Sequence, residues 1–327
     1  MNANQRNGRP PGIWVLLDDR AGNRSQCLGV AEALGLRFFT HELEYVAAAA
    51  LPNFFVGASF GGLTPSSRVN LVSPWPDLVI AAGRRTAPIA RKIKKDSGGA
   101  TMLVQIMYPG HTGADEFDLI AAPRHDEIAP APNMLEITGA PHRVNEKKLA
   151  EAADEWQGRF ADLPKPRIAL IVGGSSRRRK FTSEMATELG RKAAKMASAT
   201  GGSLLVTTSR RTGEAEAALL AEINDPNFVF RWGDEGENPY FGFLALADTV
   251  IVTGDSVSMV SEACATPAPV YIYGPKALTP QKHTKLHREL FERCFARPLG
   301  DAFEEWTHDP LNAAGEIAEE VRRRFGI

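Results

Sequence analysis

TVIVTGDSVSMVSEACATPAPVYIY, residues 249–273, decides the fold of this chain. Its opening run, 249–253, is short and β-branched, as a parallel strand covered on both faces requires. The run enters Gly254-Asp255-Ser256, where Asp255 or Ser256 can cap a helix that follows at once. The first backbone N–H groups of such a helix point over the end of the sheet, a position suited to an anion. Ser258 and Glu262 stand four residues apart, hence one turn apart on one face, and Pro267 and Pro269 end the helix before a strand at 270–273. The stretch reads as strand, ligand loop, helix, strand.

Outward from it the same alternation occurs in both halves of the chain. In the first half strands are expected at 13–17, 36–41, 78–82, 102–106, 119–121 and 134–137, with helices at 24–34 and 86–95. The stretch 160–167, FADLPKPR, holds two prolines and reads as a linker. Beyond it strands are expected at 168–172, 204–207, 228–230, 250–252 and 270–272, with a helix at 183–199. Strands separated by helical patterns of about ten to fifteen residues imply parallel sheets with helices on both faces. The expected architecture is therefore α/β, two doubly wound, Rossmann-like domains (13–160 and 161–310) facing each other across a cleft. A last helical segment, 311–327, carries Ile317, Val321 and Phe325 at helical spacing and is expected to pack back on the first domain. The opening 1–12, MNANQRNGRPPG, is polar, lacks the apolar core of a signal peptide and reads as a disordered tail.

Composition excludes several classes. Among 327 residues, 38 basic side chains stand against 39 acidic ones, so no global field recruits nucleic acid or an anionic membrane. The one basic run, 177–180, lacks interleaved aromatics, and nucleic acid is not an expected partner. The three cysteines, Cys27, Cys264 and Cys294, lie far apart with no zinc spacing, which points to a reducing compartment and no metal. No window reaches the apolar length of a membrane span. Gly57-Ala58-Ser59-Phe60-Gly61 fits a nucleophile-elbow pattern, but Gly62 and Pro65 fall where that motif needs a helix. Neither a GxGxxG nor a GxxxxGK[ST] motif occurs, against a nicotinamide dehydrogenase and a P-loop NTPase respectively.

The loops that follow the strands carry the candidate chemistry. A diphosphate linked to a nucleoside needs N–H donors, cationic side chains or a metal. Gly173-Gly174-Ser175-Ser176 followed by Arg177-Arg178-Arg179-Lys180 supplies the first two at a strand end, where a doubly wound sheet binds its ligands. Gly254, Asp255, Ser256 and Ser258 follow a strand of the same sheet. Ser209 and Arg210 follow the strand at 204–207, with helix capping as their plainer role. Asn238 caps a helix with Pro239 at its first position, in a segment, 232–240, that could hold base and ribose. The donor set expected is thus Gly173, Gly174, Ser175, Ser176, Arg177, Lys180, Ser209, Arg210, Asn238, Gly254, Asp255, Ser256, Ser258 and Glu262. The plainer alternative for 173–180 is a flexible loop with a solvated basic run.

In the first half, Asp18 and Asp19 close the first strand and are candidate bases, provided burial or a neighbour raises one pKa. Their plainer role is to end the strand. Arg20, Asn23 and Arg24 follow, the two arginines suited to an acceptor phosphate. Gly83-Arg84-Arg85-Thr86 repeats the strand, glycine, basic loop, helix design, with Gly83 and Arg84 as acceptor-side contacts. His111 follows another strand and is a third acid–base candidate.

The strings WVLLDDRAGNRSQ, DLVIAAGRR, FDLIAAPRHDE, ITGAPHRVN, IALIVGGSSRRRKF and TGDSVSMVSEA resemble those of the mitochondrial fission ELM (elongated mitochondria) family, over nearly the whole chain, from about residue 13 to 326. The resemblance implies a GT-B glycosyltransferase, distantly similar to the glucosaminyltransferase that completes lipid II. It implies a donor domain at 161–310, an acceptor domain at 13–160, and Glu262 as acceptor for ribose hydroxyls. Its substrates would be a nucleotide-sugar of UDP or GDP type and a surface-glycan or lipid-linked acceptor, in lipopolysaccharide or related synthesis, with no cofactor. The expected place is cytoplasmic, with a peripheral association with the inner membrane left open. Plant relatives imply a second reading, a non-catalytic adaptor that keeps the fold and recruits a partner.

Overall fold

The computed structural model describes residues 10–300, 304 and 306–327. The tail expected at 1–12 lies outside them as far as residue 9. The chain forms two compact units, one of the residues up to Arg143 together with Asn312–Ile327, the other Val144–Leu311.

The first unit runs β1 (Ile13–Leu17), α1 (Ala21–Ala33), β2 (Phe39–Glu42), α2 (Asn53–Val56), α3 (Pro65–Val69), β3 (Leu78–Ala82), α4 (Ala87–Asp96), β4 (Met102–Ile106), β5 (Leu119–Pro123) and β6 (Met134–Ile137). Among the described residues they form a six-stranded sheet in the order β2-β1-β3-β4-β5-β6, every pair parallel. Alternate residues of a strand face opposite sides. Ile13, Val15 and Leu17 of β1 accordingly meet α1 on one side, while Leu16 shares the other side with Ile89, Ala90 and Ile93 of α4. With both sides covered, β3 and β5 are buried along their whole length, and only the edge strand β2 is mostly exposed.

The second unit runs α5 (Glu146–Trp156), β7 (Arg167–Ile171), α6 (Ser183–Thr200), β8 (Ser203–Thr207), α7 (Glu216–Leu220), β9 (Asn227–Phe230), α8 (Tyr240–Leu246), β10 (Thr249–Thr253), α9 (Val257–Ala263), β11 (Val270–Tyr273), α10 (Gln281–Glu292) and β12 (Arg297–Pro298). Its sheet has the order β12-β11-β10-β7-β8-β9, again parallel throughout. Thr182 caps α6 by accepting from the Met185 N–H at 3.3 Å, and Gly201 ends that helix in the left-handed conformation. The last helix, α11 (Ala313–Phe325), belongs to the first unit. Ile317, Val321 and Phe325 join the core beneath α1, and Arg322 donates to the carbonyl of Ala33 at 2.7 Å.

The units divide ahead of 160–167, the stretch the sequence marks as linker. That stretch is held inside the second unit, because the Arg167 guanidinium donates to the carbonyl of Phe160 at 2.7 Å and Phe160 is fully buried. Helix α5, beyond the elements expected from the sequence, packs Trp156 on Phe160 and so shares that core.

In each sheet the chain reverses its direction of growth once, between β1 and β3 in the first and between β7 and β10 in the second. Loops at the carboxyl ends of the strands part at such switch points, and ligands of doubly wound sheets bind there.

Candidate functional site

At the second unit's switch point Thr253 of β10 accepts the Gly173 N–H at 2.7 Å. Asp255 is buried, and its Oδ2 accepts the Gly174 N–H at 3.0 Å and the Arg211 guanidinium at 2.6 Å. The contact is close enough to require both glycines. A Cβ on Gly173 would lie 2.5 Å from the Asp255 oxygens, and one on Gly174, at φ +148°, would lie 2.1 Å from the Arg211 carbonyl oxygen. Ser209 and Thr212 complete the knot by donating to the Gly173 carbonyl at 2.9 and 2.6 Å.

This arrangement corrects the role expected of 173–176 as a cradle of N–H donors. Ser175 donates its N–H to the Arg211 carbonyl and Ser176 to that of Arg179, both at 2.8 Å, so all four N–H groups are engaged inside the protein. A buried turn must satisfy its own backbone, and here it does so with residues distant in sequence. Any contact with an anion here would fall to side chains and to the start of α9. There Ser256 is the cap, accepting from the Met259 N–H, which leaves the N–H groups of Val257 and Ser258 without an intrahelical acceptor.

The cations divide by task. Arg179 donates to the carbonyl of Ala277 at 3.2 Å and pins its loop to the connection between β11 and α10. Arg177 and Arg178 line an open depression of about 630 Å³ with Ser176, Ala277, Pro280 and Gln281. Among the described residues Arg177, Lys180 and Arg210 make no ion pair, and all three are exposed. Glu262 is half-buried and accepts the Tyr240 hydroxyl at 2.6 Å, while Asn238 accepts the Tyr240 N–H at 3.0 Å. Tyr240 thereby links these two expected residues. Burial first, then the adjacent Glu262 carboxylate, pushes its phenol well above the ordinary tyrosine range. His283, at the start of α10, is held below the ordinary histidine range by burial, against the opposing pull of the Gly254 backbone and of Asp255.

The first unit's switch point has a related construction. Asp18 is buried, with Oδ2 accepting from the Asn23 amide at 2.7 Å and Oδ1 from the Arg20 N–H at 3.3 Å and from Arg85. Arg85 also pairs with Asp19 and lies over the Tyr45 ring, 4.2 Å from its centre. Burial raises the pKa of Asp18, and its bond with Asp19 adds to the rise. That same bond, with Arg85, lowers Asp19. Gly83, at φ +83°, lets the Asn23 amide approach to 2.7 Å of where a Cβ would stand.

Other acceptor-side expectations land elsewhere. Arg24 pairs with Glu42 on the surface. Arg84 turns away from the switch point to donate to the carbonyls of Ala49 and Leu51, because the loop around them needs its backbone satisfied. Arg20 is exposed. His111 is exposed, with Nδ1 3.0 Å from the Tyr108 hydroxyl, and no contact joins it to the aspartates. The residues missed are Arg85, Arg211, Tyr240 and His283. A signal for the first two was present, since Arg-Arg-Thr follows a strand in both halves, at 84–86 and 210–212.

Two parallel six-stranded α/β units of this kind make a GT-B-like fold. The UDP-GlcNAc 2-epimerase of Methanocaldococcus jannaschii superposes with a TM-score of 0.57, at 11% identity, covering 95% of this chain and 99% of the epimerase. The same enzyme in complex with UDP-GlcNAc and UDP gives 0.53. MurG of Acinetobacter baumannii gives 0.51 at 14% identity, covering 96% of this chain and all of MurG. At such identities the likeness is one of fold. The chain belongs to the mitochondrial fission ELM1 family, which matches residues 21–325. It is 30% identical over 294 residues to mitochondrial fission protein ELM1 of Arabidopsis thaliana, spanning 82% of this chain and 68% of that relative.

Proposed function

We propose that the second unit binds a nucleotide-sugar of UDP or GDP type at the β7/β10 switch point, and that the protein is a metal-independent glycosyltransferase acting on a surface-glycan or lipid-linked acceptor. The observation that carries this reading is the knot of Gly173, Gly174, Asp255 and Arg211 beside the Ser256-capped start of α9. It orients one guanidinium and leaves Arg177, Lys180 and Arg210 uncommitted on the same loops. A leaving diphosphate would be stabilised by these cations and by the first N–H groups of α9. Glu262, one turn beyond Ser258, would exchange its Tyr240 bond for ribose hydroxyls. The epimerase bound to UDP-GlcNAc and UDP supports a ligand of this class in a related fold. Asp18 is the aspartate whose pKa moves toward that of a base, and Asp19 the one with access to solvent.

One observation favours the adaptor reading. Both aspartates are held by Arg85, so neither is a free base. Among the described residues no helix is long and apolar enough to cross a membrane, which suits either a cytoplasmic enzyme or an adaptor.

Thermal-shift and calorimetric screening against UDP, GDP, CMP, ADP and their sugar conjugates tests the proposal, since a ligand of the folded state raises the melting temperature by mass action. One nucleotide should do so, and lose its effect in Glu262→Ala and in Arg177→Ala/Lys180→Ala. No response to any of them, or an undiminished one in both variants, would remove the site and favour the adaptor.

A further inference from the structure

Residues 45–67, YVAAAALPNFFVGASFGGLTPSS, form a run of 23 without a single charged side chain. The large apolar side chains that the described residues expose gather here. Six of eight, Val46, Leu51, Phe54, Phe55, Val69 and Val72, fall within 46–72, and Phe54 and Phe55 are 74% and 73% exposed. Isolated exposed apolar residues are ordinary, whereas a cluster marks a contact surface. The two phenylalanines stand edge to face on α2, their ring centres 5.3 Å apart.

Beneath them several backbone groups are satisfied from within. Arg84 donates to the carbonyls of Ala49, Ala50 and Leu51. The Asn53 amide donates to those of Arg84 and Pro109, both at 3.1 Å, and the Gly57 N–H returns to the Asn53 carbonyl at 2.9 Å. Arg68 closes the far end on the carbonyls of Gly61 and Leu63. A loop that protrudes apolar side chains while much of its backbone is engaged inward can rest those side chains in the interfacial layer of a bilayer. Among the described residues neither Arg68 nor Arg84 is in an ion pair, so two cations border the tip and no carboxylate lies within the run.

We propose that this tip inserts into an anionic lipid bilayer, with Leu51, Phe54 and Phe55 among the upper acyl chains and Arg68 and Arg84 at the level of the headgroup phosphates. Two phenylalanines and a leucine offer on the order of 500 Å², short of the roughly 800 Å² per partner of a stable protein interface, and a narrow tip fits a bilayer better than a flat partner. The inference stands apart from the nucleotide reading and survives its failure.

The test is flotation of the full chain with vesicles of phosphatidylethanolamine and phosphatidylglycerol, against vesicles of phosphatidylcholine alone. The wild type should float with the anionic vesicles, and Phe54→Asp/Phe55→Asp should lose at least tenfold in bound fraction with an unchanged melting temperature. Phe39→Asp, at an exposed phenylalanine outside the run, should float as the wild type does. Should the double variant unfold, Phe54→Trp decides, since its fluorescence must be quenched by brominated acyl chains. Absence of flotation, flotation undiminished in the double variant, or an unquenched Phe54→Trp overturns the proposal. So does a wild-type dimer that the double variant makes monomeric, which would assign the tip to a second copy of this chain.

Discussion

At the first switch point two carboxylates face one arginine, whereas at the second a single carboxylate faces one arginine and further cations stand unpaired on the same loops. The scaffolding is shared. In each unit the second arginine of an Arg-Arg-Thr sequence takes the carboxylate, a glycine of positive φ permits the close approach, and the threonine hydroxyl ties the turn to a carbonyl, Thr86 to that of Gly83 at 2.9 Å and Thr212 to that of Gly173 at 2.6 Å. What differs is the residual charge. The first site sets two carboxylates, Asp18 buried and Asp19 exposed, against Arg85, with the exposed Arg20 beside them. The second keeps an excess of arginine and lysine on its loops, which is the charge that the proposed anionic ligand requires.

The comparison breaks most sharply at the glycines. Gly174→Ala drives a Cβ into a backbone carbonyl that cannot swing aside, and a loss of about 3–5 kcal/mol is expected. Gly83→Ala meets the Asn23 side-chain amide instead, which can rotate at the expense of its bond to Asp18, so about 1–3 kcal/mol is expected. Urea unfolding monitored by circular dichroism checks the order, and equal losses would mean that the two knots are equally rigid.

Removing the arginines should separate the sites by pH. Arg85→Met leaves Asp18 buried without its cation, at about 2–4 kcal/mol near neutrality. The sign follows from the direction of the shift. The folded pKa of Asp18 is already above the unfolded value and rises further without Arg85, so the loss is fully present above the folded pKa and shrinks as pH falls toward about 4. Arg211→Met should cost less, about 1–2 kcal/mol, because Asp255 keeps the Gly174 N–H and Arg211 is partly exposed. Stability curves from pH 4 to 8 check the pair. A loss in Arg85→Met that does not shrink toward pH 4 would mean that Asp18 is not ionised in the wild type.

The central strands were legible because continuous apolar runs such as LVIAA and TVIVT have few other uses in a chain of this length. Helices α5 and α10 were not, since EKKLAEAADEW and QKHTKLHRELFE are mostly polar and their few core residues, Trp156 in the first and Leu286 and Leu290 in the second, find their apolar partners only in the folded core around Phe160 and Phe243. At the switch points the loops and the glycines could be read, but the direction of each arginine could not. Arg85 and Arg211, and not the arginines before them, meet the carboxylates because the turn decides which side chain faces inward, and in the first unit the carboxylate lies 67 residues away in the chain. The engagement of the N–H groups at 173–176 was hidden for the same reason. Their acceptors are Thr253, Asp255, Arg211 and Arg179, all but the last brought in by the sheet.

The smallest expected effect on stability is also the most informative about chemistry. Asp19 is 56% exposed, so Asp19→Asn should change stability by less than about 0.5 kcal/mol, and a melting curve checks this. Asp18→Asn should cost more, because its site is closed and its oxygens serve Asn23, Arg20 and Arg85 together. The two neighbouring carboxyls influence one another's titration, one pushed up chiefly by burial and the other held down by its neighbour and Arg85. A base made by this pair would act through the exposed oxygen of Asp19, backed by Asp18, and Asp19→Asn would then lower turnover by about 10²-fold or more while donor affinity stays unchanged. A fully active Asp19→Asn protein would remove the pair from catalysis and leave Asp18, Asp19 and Arg85 as the clasp that holds β1 to β3. The difference between the two switch points would then be one between a structural clasp and a binding site.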